Sequence, residues 1–106
     1  MSKARNLYKK FYRIGEQDRP LCSIRGCKNY MGEVHHIIPK KMGGRKDLDF
    51  IENLLGLCNA CHRNIHDKNL YTTEDQILMA QYKMMASRPD YKYDKDKMLA
   101  ICFNCG

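Results

Sequence analysis

Two stretches of this 106-residue chain carry side chains able to do chemistry: Glu33-Val34-His35-His36-Ile37-Ile38-Pro39 and the segment running from Asn53 to His66. Together they hold all four histidines, as the adjacent pair His35 and His36 and as His62 and His66, four residues apart. Residues four apart share one face of a helix, so the imidazoles of His62 and His66 can grip a single metal ion. Neutral imidazoles leave coordination positions open for water and substrate. A divalent ion there suits phosphodiester hydrolysis, because it can hold a phosphate oxygen and stabilise the departing one. A further imidazole, titrating near neutrality, can take the proton from the attacking water.

The cysteines point to a second site with a different job. Cys22 and Cys27 form a C-x4-C pair with Gly26 placed to allow a tight turn, and Cys58 and Cys61 form a C-x2-C pair some thirty residues on. Four thiolates in two such knuckles make a closed tetrahedral zinc site, structural rather than reactive. A third pair, Cys102 and Cys105, ends the chain. It could replace one of the other pairs at the zinc, join two copies through a second metal, or oxidise to a disulfide.

These residues need elements to position them. Val34 to Ile38 is β-branched around the histidines and predicts a strand stopped by Pro39, and Ile51 to Leu57 predicts a second strand. A helix follows over roughly 59–68. Upstream, Leu7, Phe11 and Ile14 among basic residues predict an amphipathic helix over 3–14 ending near Gly15. Downstream, Thr72 and Thr73 with Gln76 predict a capping box opening a packing helix over 74–87. That helix turns Ile77, Leu78, Gln81, Tyr82, Met84 and Met85 largely to one side, and Tyr91 to Lys97 reads as a mobile connection. The domain organisation expected is a basic N-terminal helix and linker over 1–20, a core with zinc knuckles over 21–69, and a packing helix and tail over 70–106.

Composition narrows the partner. Nineteen Lys and Arg against twelve Asp and Glu give a net charge of +7 and a pI near 9.2, which favours a polyanion such as nucleic acid. Lys40, Lys41, Arg45 and Lys46 flank Gly43-Gly44 in a loop suited to close approach to phosphate, and Arg63 adds a cation between the helical histidines. No apolar run is long enough to span a membrane and no secretion signal is visible, so the expected compartment is the cytoplasm, of a bacterium or a phage-infected host. Thiols stay reduced there, which favours metal ligation over disulfides. A small domain with a limited core also gains from a metal staple.

Of two familiar metal motifs, the metalloprotease fails and the zinc finger stays only as the binding-module alternative. His62 and His66 have the spacing of H-E-x-x-H, but Arg63 stands where a metalloprotease needs its glutamate. A zinc finger built on Cys58, Cys61 and two histidines has too short an interval and leaves His35 and His36 unused.

The order Val34-His35-His36-Ile37-Ile38-Pro39, Gly43-Gly44, Asn53-Leu54, Leu57-Cys58 and Cys61-His62 resembles the HNH endonuclease family. It resembles especially the small phage and bacterial members with two cysteine pairs, and its histidine pattern resembles that of the nuclease colicins. The similarity covers roughly 21–69. It implies a small α+β fold with a ββα-metal (His-Me finger) core, a Cys22, Cys27, Cys58 and Cys61 structural zinc, and flanking helices. It implies His36 as general base, Asn53 as the brace of the loop between the strands, and His35, His62 and His66 as ligands of a catalytic divalent ion. Members with the cysteine pairs often have another residue at the position of His66. Many members have aspartate where His35 stands, so the site here suits zinc, nickel or manganese better than magnesium alone. Adjacent residues on a regular strand point to opposite faces, so His35 and His36 can serve one centre only if the strand twists or ends there.

The expected function is therefore metal-dependent hydrolysis of DNA, double-stranded and with low sequence specificity, leaving 5′-phosphate and 3′-hydroxyl ends. A phage or host protein partner is compatible with this. The alternative is a zinc-stabilised DNA-binding module or accessory subunit without intrinsic cleavage.

Overall fold

A computed structural model describes residues 3–39, 48–68 and 70–104, with the main chain alone at 102–104. The basic loop with Lys40, Lys41, Arg45 and Lys46, and the thiols of Cys102 and Cys105, lie outside the described residues. The centre is a two-stranded antiparallel hairpin, β1 (Glu33–His36) and β2 (Leu54–Leu57), in which His35 pairs with Leu55 and His36 with Leu54. Every residue of β2 is buried, with Leu54, Leu55 and Leu57 at no more than 1% exposure. Each such side chain contributes about 1.5–3 kcal/mol of apolar burial, which anchors the strand that the histidines lean on.

Four helices surround the hairpin among the described residues: α1 (Lys3–Phe11), α2 (Asn59–Lys68), α3 (Thr73–Ser87) and α4 (Lys95–Asn104). None is long and apolar enough to cross a membrane. The small α+β fold with flanking helices is the one expected. Its details differ from the sequence reading in instructive places. In α1 the buried residues are Ala4 and Tyr8, while Leu7, Phe11 and Ile14 pack only at the margin of the core. Tyr8 lies over Gly56 of β2, where a side-chain carbon would meet Met31 and the Tyr8 hydroxyl, so the missing Cβ is what lets α1 sit on the hairpin. The helix also ends early. Arg13 adopts a left-handed φ of 56° while the Ile14 amide donates back to the Lys9 carbonyl at 2.8 Å, a C-terminal hook that does not use Gly15.

The first strand is shorter than its β-branched run, because Ile37 and Ile38 leave it after His36. The second begins later than expected, since Ile51–Asn53 forms a 3-10 turn ahead of it. In α3 the capping box is real but closes one residue earlier, with Asp75 in the role expected of Gln76: Thr72 Oγ1 accepts from the Asp75 amide at 3.0 Å and Asp75 Oδ2 from the Thr72 amide at 3.1 Å. Gln76, Ile77, Ala80 and Met84 form its buried face, whereas Tyr82, Met85 and Leu78 face outward. The segment expected to be a mobile connection is anchored instead. Tyr93 Oη donates to the Glu52 carbonyl at 2.7 Å, Tyr91 Oη donates to Glu52 Oε2 at 3.0 Å, and α4 follows with Met98 fully buried.

Candidate metal centres and active site

The cysteine centre is assembled by backbone geometry. The Cys22 amide donates to the Asn29 carbonyl at 2.8 Å across a small loop, and Gly26 takes a φ of 85° that only glycine adopts without strain. This turn carries Cys27 back toward Cys22, as the sequence predicted. Cys58 precedes the first residue of α2, so its sulfur sits at a helix N-terminus and accepts from the Cys61 amide at 3.4 Å. The four ligand atoms all lie within 4.8 Å of one another. Cys27 Sγ is 3.9 Å from Cys58 Sγ and 3.8 Å from Cys61 Sγ. Four sulfurs about 2.3 Å from a tetrahedral zinc stand about 3.8 Å apart, so the cluster has the size of a zinc site. Burial opposes charge on Cys58, yet the Cys61 amide, the neighbouring thiols and the Asn29 amide together bring its thiol down to about 6, while burial pushes Cys22 and Cys61 up. So many thiols in one place become thiolates together only with a cation among them.

The helix that starts at this cluster delivers the next site. Along α2, His62 and His66 fall one turn apart with their Nε2 atoms 3.1 Å from each other. The spacing is near the roughly 3.3 Å expected for two imidazole nitrogens on one zinc-sized ion. His35 of β1 completes the group, its ring centroid 5.1 Å from that of His62 and 5.4 Å from that of His66. Ligand atoms of these three residues also lie within 4.8 Å of one another, so the donor set fits a divalent ion. Outer partners hold two of the rings. Glu33 Oε2 accepts from His62 Nδ1 at 2.9 Å, and Gln76 Oε1 lies 2.7 Å from His35 Nε2. Burial pushes His35 down to about 4, the Gln76 hydrogen bond opposing and repulsion from His62, His66 and His36 adding to it. At neutral pH His35 is therefore the neutral imidazole that metal ligation requires. A groove of about 320 Å³, lined by His35, His66, Tyr71, Thr72, Thr73 and Gln76 among others, opens beside the trio.

His36 goes elsewhere, as strand alternation demands. Its Nε2 meets Asp49 Oδ1 at 2.7 Å, and its side chain remains one-fifth exposed. Just beyond it the chain leaves the strand, held by Asn53. That fully buried amide accepts from the Ile38 amide at 2.8 Å and donates to the Ile38 and Leu48 carbonyls at 3.2 and 3.1 Å. It thus ties the end of β1 to the segment that presents Asp49.

The structure brings together His35, His62 and His66 as one group and Cys22, Cys27, Cys58 and Cys61 as another; His36 joins neither and pairs with Asp49, while Asn53 brackets Ile38. Arg63 is exposed on α2 between the two helical histidines in sequence. Sequence reasoning gave no role to Glu33, Asp49 or Gln76 at the histidines. Glu33 had a legible signal, since it stands two residues before His35 and so on the same side of the strand. Asp49 and Gln76 had none, because they meet their partners across 13 and 41 residues.

Residues 20–68, a stretch just short of half the chain, match the family model described as HNH endonuclease. No curated protein and no solved structure matches the chain. The match spans Cys22, Cys27, Cys58 and Cys61 and all four histidines, and so includes the seven residues that the fold gathers into two clusters; over this stretch the chain is similar to an HNH endonuclease domain.

Proposed function

We propose that this protein is a metal-dependent endonuclease that hydrolyses DNA phosphodiester bonds, with His36 as general base and His35, His62 and His66 holding the divalent ion. The convergence of three imidazoles from β1 and α2, with a fourth at the end of β1 that carries its own carboxylate partner, supports this most strongly. Asp49 can only accept, so it favours a proton on His36 Nε2 and leaves the Nδ1 lone pair to take the proton of a water molecule. When bound, the ion supplies a Lewis acid for a phosphate oxygen and for the charge on the departing oxygen. The water oxygen attacks phosphorus, the bond to the 3′ oxygen breaks, and the ends left are a 5′-phosphate and a 3′-hydroxyl. The departing 3′ oxygen takes a proton from solvent, and His36 returns its own proton there.

The remaining residues suit the same substrate. A net charge of +7 favours a polyanion, and Lys40, Lys41, Arg45, Lys46 and Arg63 are the cations proposed to contact its phosphates. With imidazole donors rather than carboxylates, zinc, nickel or manganese is favoured over magnesium. The cysteine cluster holds a structural zinc that fixes the start of α2. Duplex DNA cut with little sequence preference is the expected substrate.

Supercoiled plasmid incubated with the purified protein and magnesium, manganese, nickel or zinc in turn tests the proposal, with EDTA and His36→Ala controls. Loss of the supercoiled form should require both an ion and His36. A folded protein that binds the plasmid salt-dependently yet cuts with no ion would be a zinc-stabilised binding module instead.

A further inference from the structure

Helix α3 lies wholly beyond the matched stretch, yet it supplies the partner of the most buried histidine. Gln76, 5% exposed, meets His35, 4% exposed, with 2.7 Å between Gln76 Oε1 and His35 Nε2. The direction of this hydrogen bond is fixed from the other end of the amide. Gln76 Nε2 donates to the Tyr71 carbonyl at 3.2 Å, and a carbonyl can only accept, so the amide cannot be turned over. The oxygen that faces His35 must therefore accept, and His35 Nε2 must carry the hydrogen. A neutral imidazole has a single lone pair, which this leaves on Nδ1. The capping box of Thr72 and Asp75 sets the first turn of α3 and with it the position of Gln76.

We propose, building on the metal reading of the histidine trio, that Gln76 is a positioning residue of that centre: it holds His35 as the Nε2–H tautomer and so presents Nδ1 to the ion. Orientation of a ligating imidazole by a hydrogen bond to its second nitrogen is a general requirement of histidine metal sites. Here the acceptor comes from a helix after the HNH stretch, so residues 20–68 would not complete the centre by themselves.

The test uses the full chain loaded with structural zinc. Long-range ¹H–¹⁵N correlation at neutral pH, before any second ion is added, should report the Nε2–H tautomer for His35. In Gln76→Met, which keeps the length of the side chain without the acceptor, the Nδ1–H form should appear. Ni²⁺ affinity by calorimetry should fall about 10–100-fold in Gln76→Met. In Gln76→Glu, which still accepts, it should stay within a few fold of the parent, and zinc content should be unchanged in both. An Nδ1–H tautomer in the parent protein would overturn the proposal even if neither variant folds. Unchanged Ni²⁺ affinity in Gln76→Met would overturn it while leaving the metal reading intact. Absence of any Ni²⁺ binding that depends on His62 would remove both, and the tautomer spectrum would then show whether the Gln76 hydrogen bond itself persists.

Discussion

The two clusters that share α2 are built on opposite principles. The four cysteines come as two local pairs, one closed by the left-handed turn at Gly26 and the other by the first turn of the helix. Their sulfurs lie within 4.8 Å of one another, that of Cys27 at 3.8–3.9 Å from those of Cys61 and Cys58, and amides of Cys61 and Asn29 donate to Cys58. Nothing in such a set favours an open position. The three histidines come from a strand and a helix, two of them are oriented from behind by Glu33 and Gln76, and a groove lies beside them. The cysteine cluster stores its information in spacing, whereas the histidine cluster depends on long-range partners. In the proposed nuclease, a centre that must exchange substrate can leave its open side free only if something else fixes its ligands.

The largest expected effect follows from removing the closed site. Cys58→Ser should unfold the domain or strip its zinc, because metal binding in thiolate sites is worth on the order of 10 kcal/mol and is coupled to folding. Since Cys58 also stands directly before α2, the histidines should lose their arrangement as well. Thermal unfolding and zinc content measure this, and a folded variant with full zinc would exclude Cys58 as a ligand.

His36→Ala draws the contrast from the other side. The side chain is partly exposed and belongs to neither cluster, so the unfolding temperature and zinc content should match the parent. Plasmid cleavage should nevertheless fall by about 10²–10⁴-fold, the usual contribution of a general base. Cleavage at the parent rate would remove His36 from that role.

Asp49→Asn should have a smaller effect and is more diagnostic. An amide at this position can turn and donate to His36 Nε2, which drives the hydrogen to Nδ1 and blocks the lone pair that takes the proton. A loss of about 10–100-fold in kcat is expected, short of deleting the base, with KM for plasmid little changed. A rise in KM alone would mean that Asp49 shapes DNA binding and not the imidazole.

The same contrast explains what could be read from the sequence. The cysteine pairs, the span of α2 and the paired histidines were legible because each rests on spacings of a few residues. The end of α1 was not, because Arg13 accepts a left-handed backbone that sequence logic reserved for Gly15. Ile51 to Asn53 looked like strand by its apolar start, but Asn53 is needed as a buried bracket around Ile38 and the chain turns there to place it. The order around α4 was invisible because it depends on Glu52, whose carboxylate and carbonyl hold Tyr91 and Tyr93 from some forty residues away. Gln76 was noticed for the wrong reason. Its spacing from Thr73 suggested a cap, but Asp75 fills that role and frees Gln76 to face His35.

That division of labour between neighbouring residues sets up the mildest test. Thr72→Ala removes the hydroxyl that accepts from Asp75 and should cost about 1 kcal/mol of global stability, the usual worth of a helix N-cap. If capping only stabilises α3, the loss should appear in chemical denaturation and nowhere else. If the cap also holds the first turn in place for Gln76, Ni²⁺ affinity should fall by a few fold in Thr72→Ala, with zinc still bound at the cysteines. Adding Thr72→Ala to Gln76→Met should then weaken Ni²⁺ no further, because the cap would act on the histidines only through the amide already removed. Additive losses would mean that Thr72 reaches the trio by another route, such as the groove it lines beside His35 and His66.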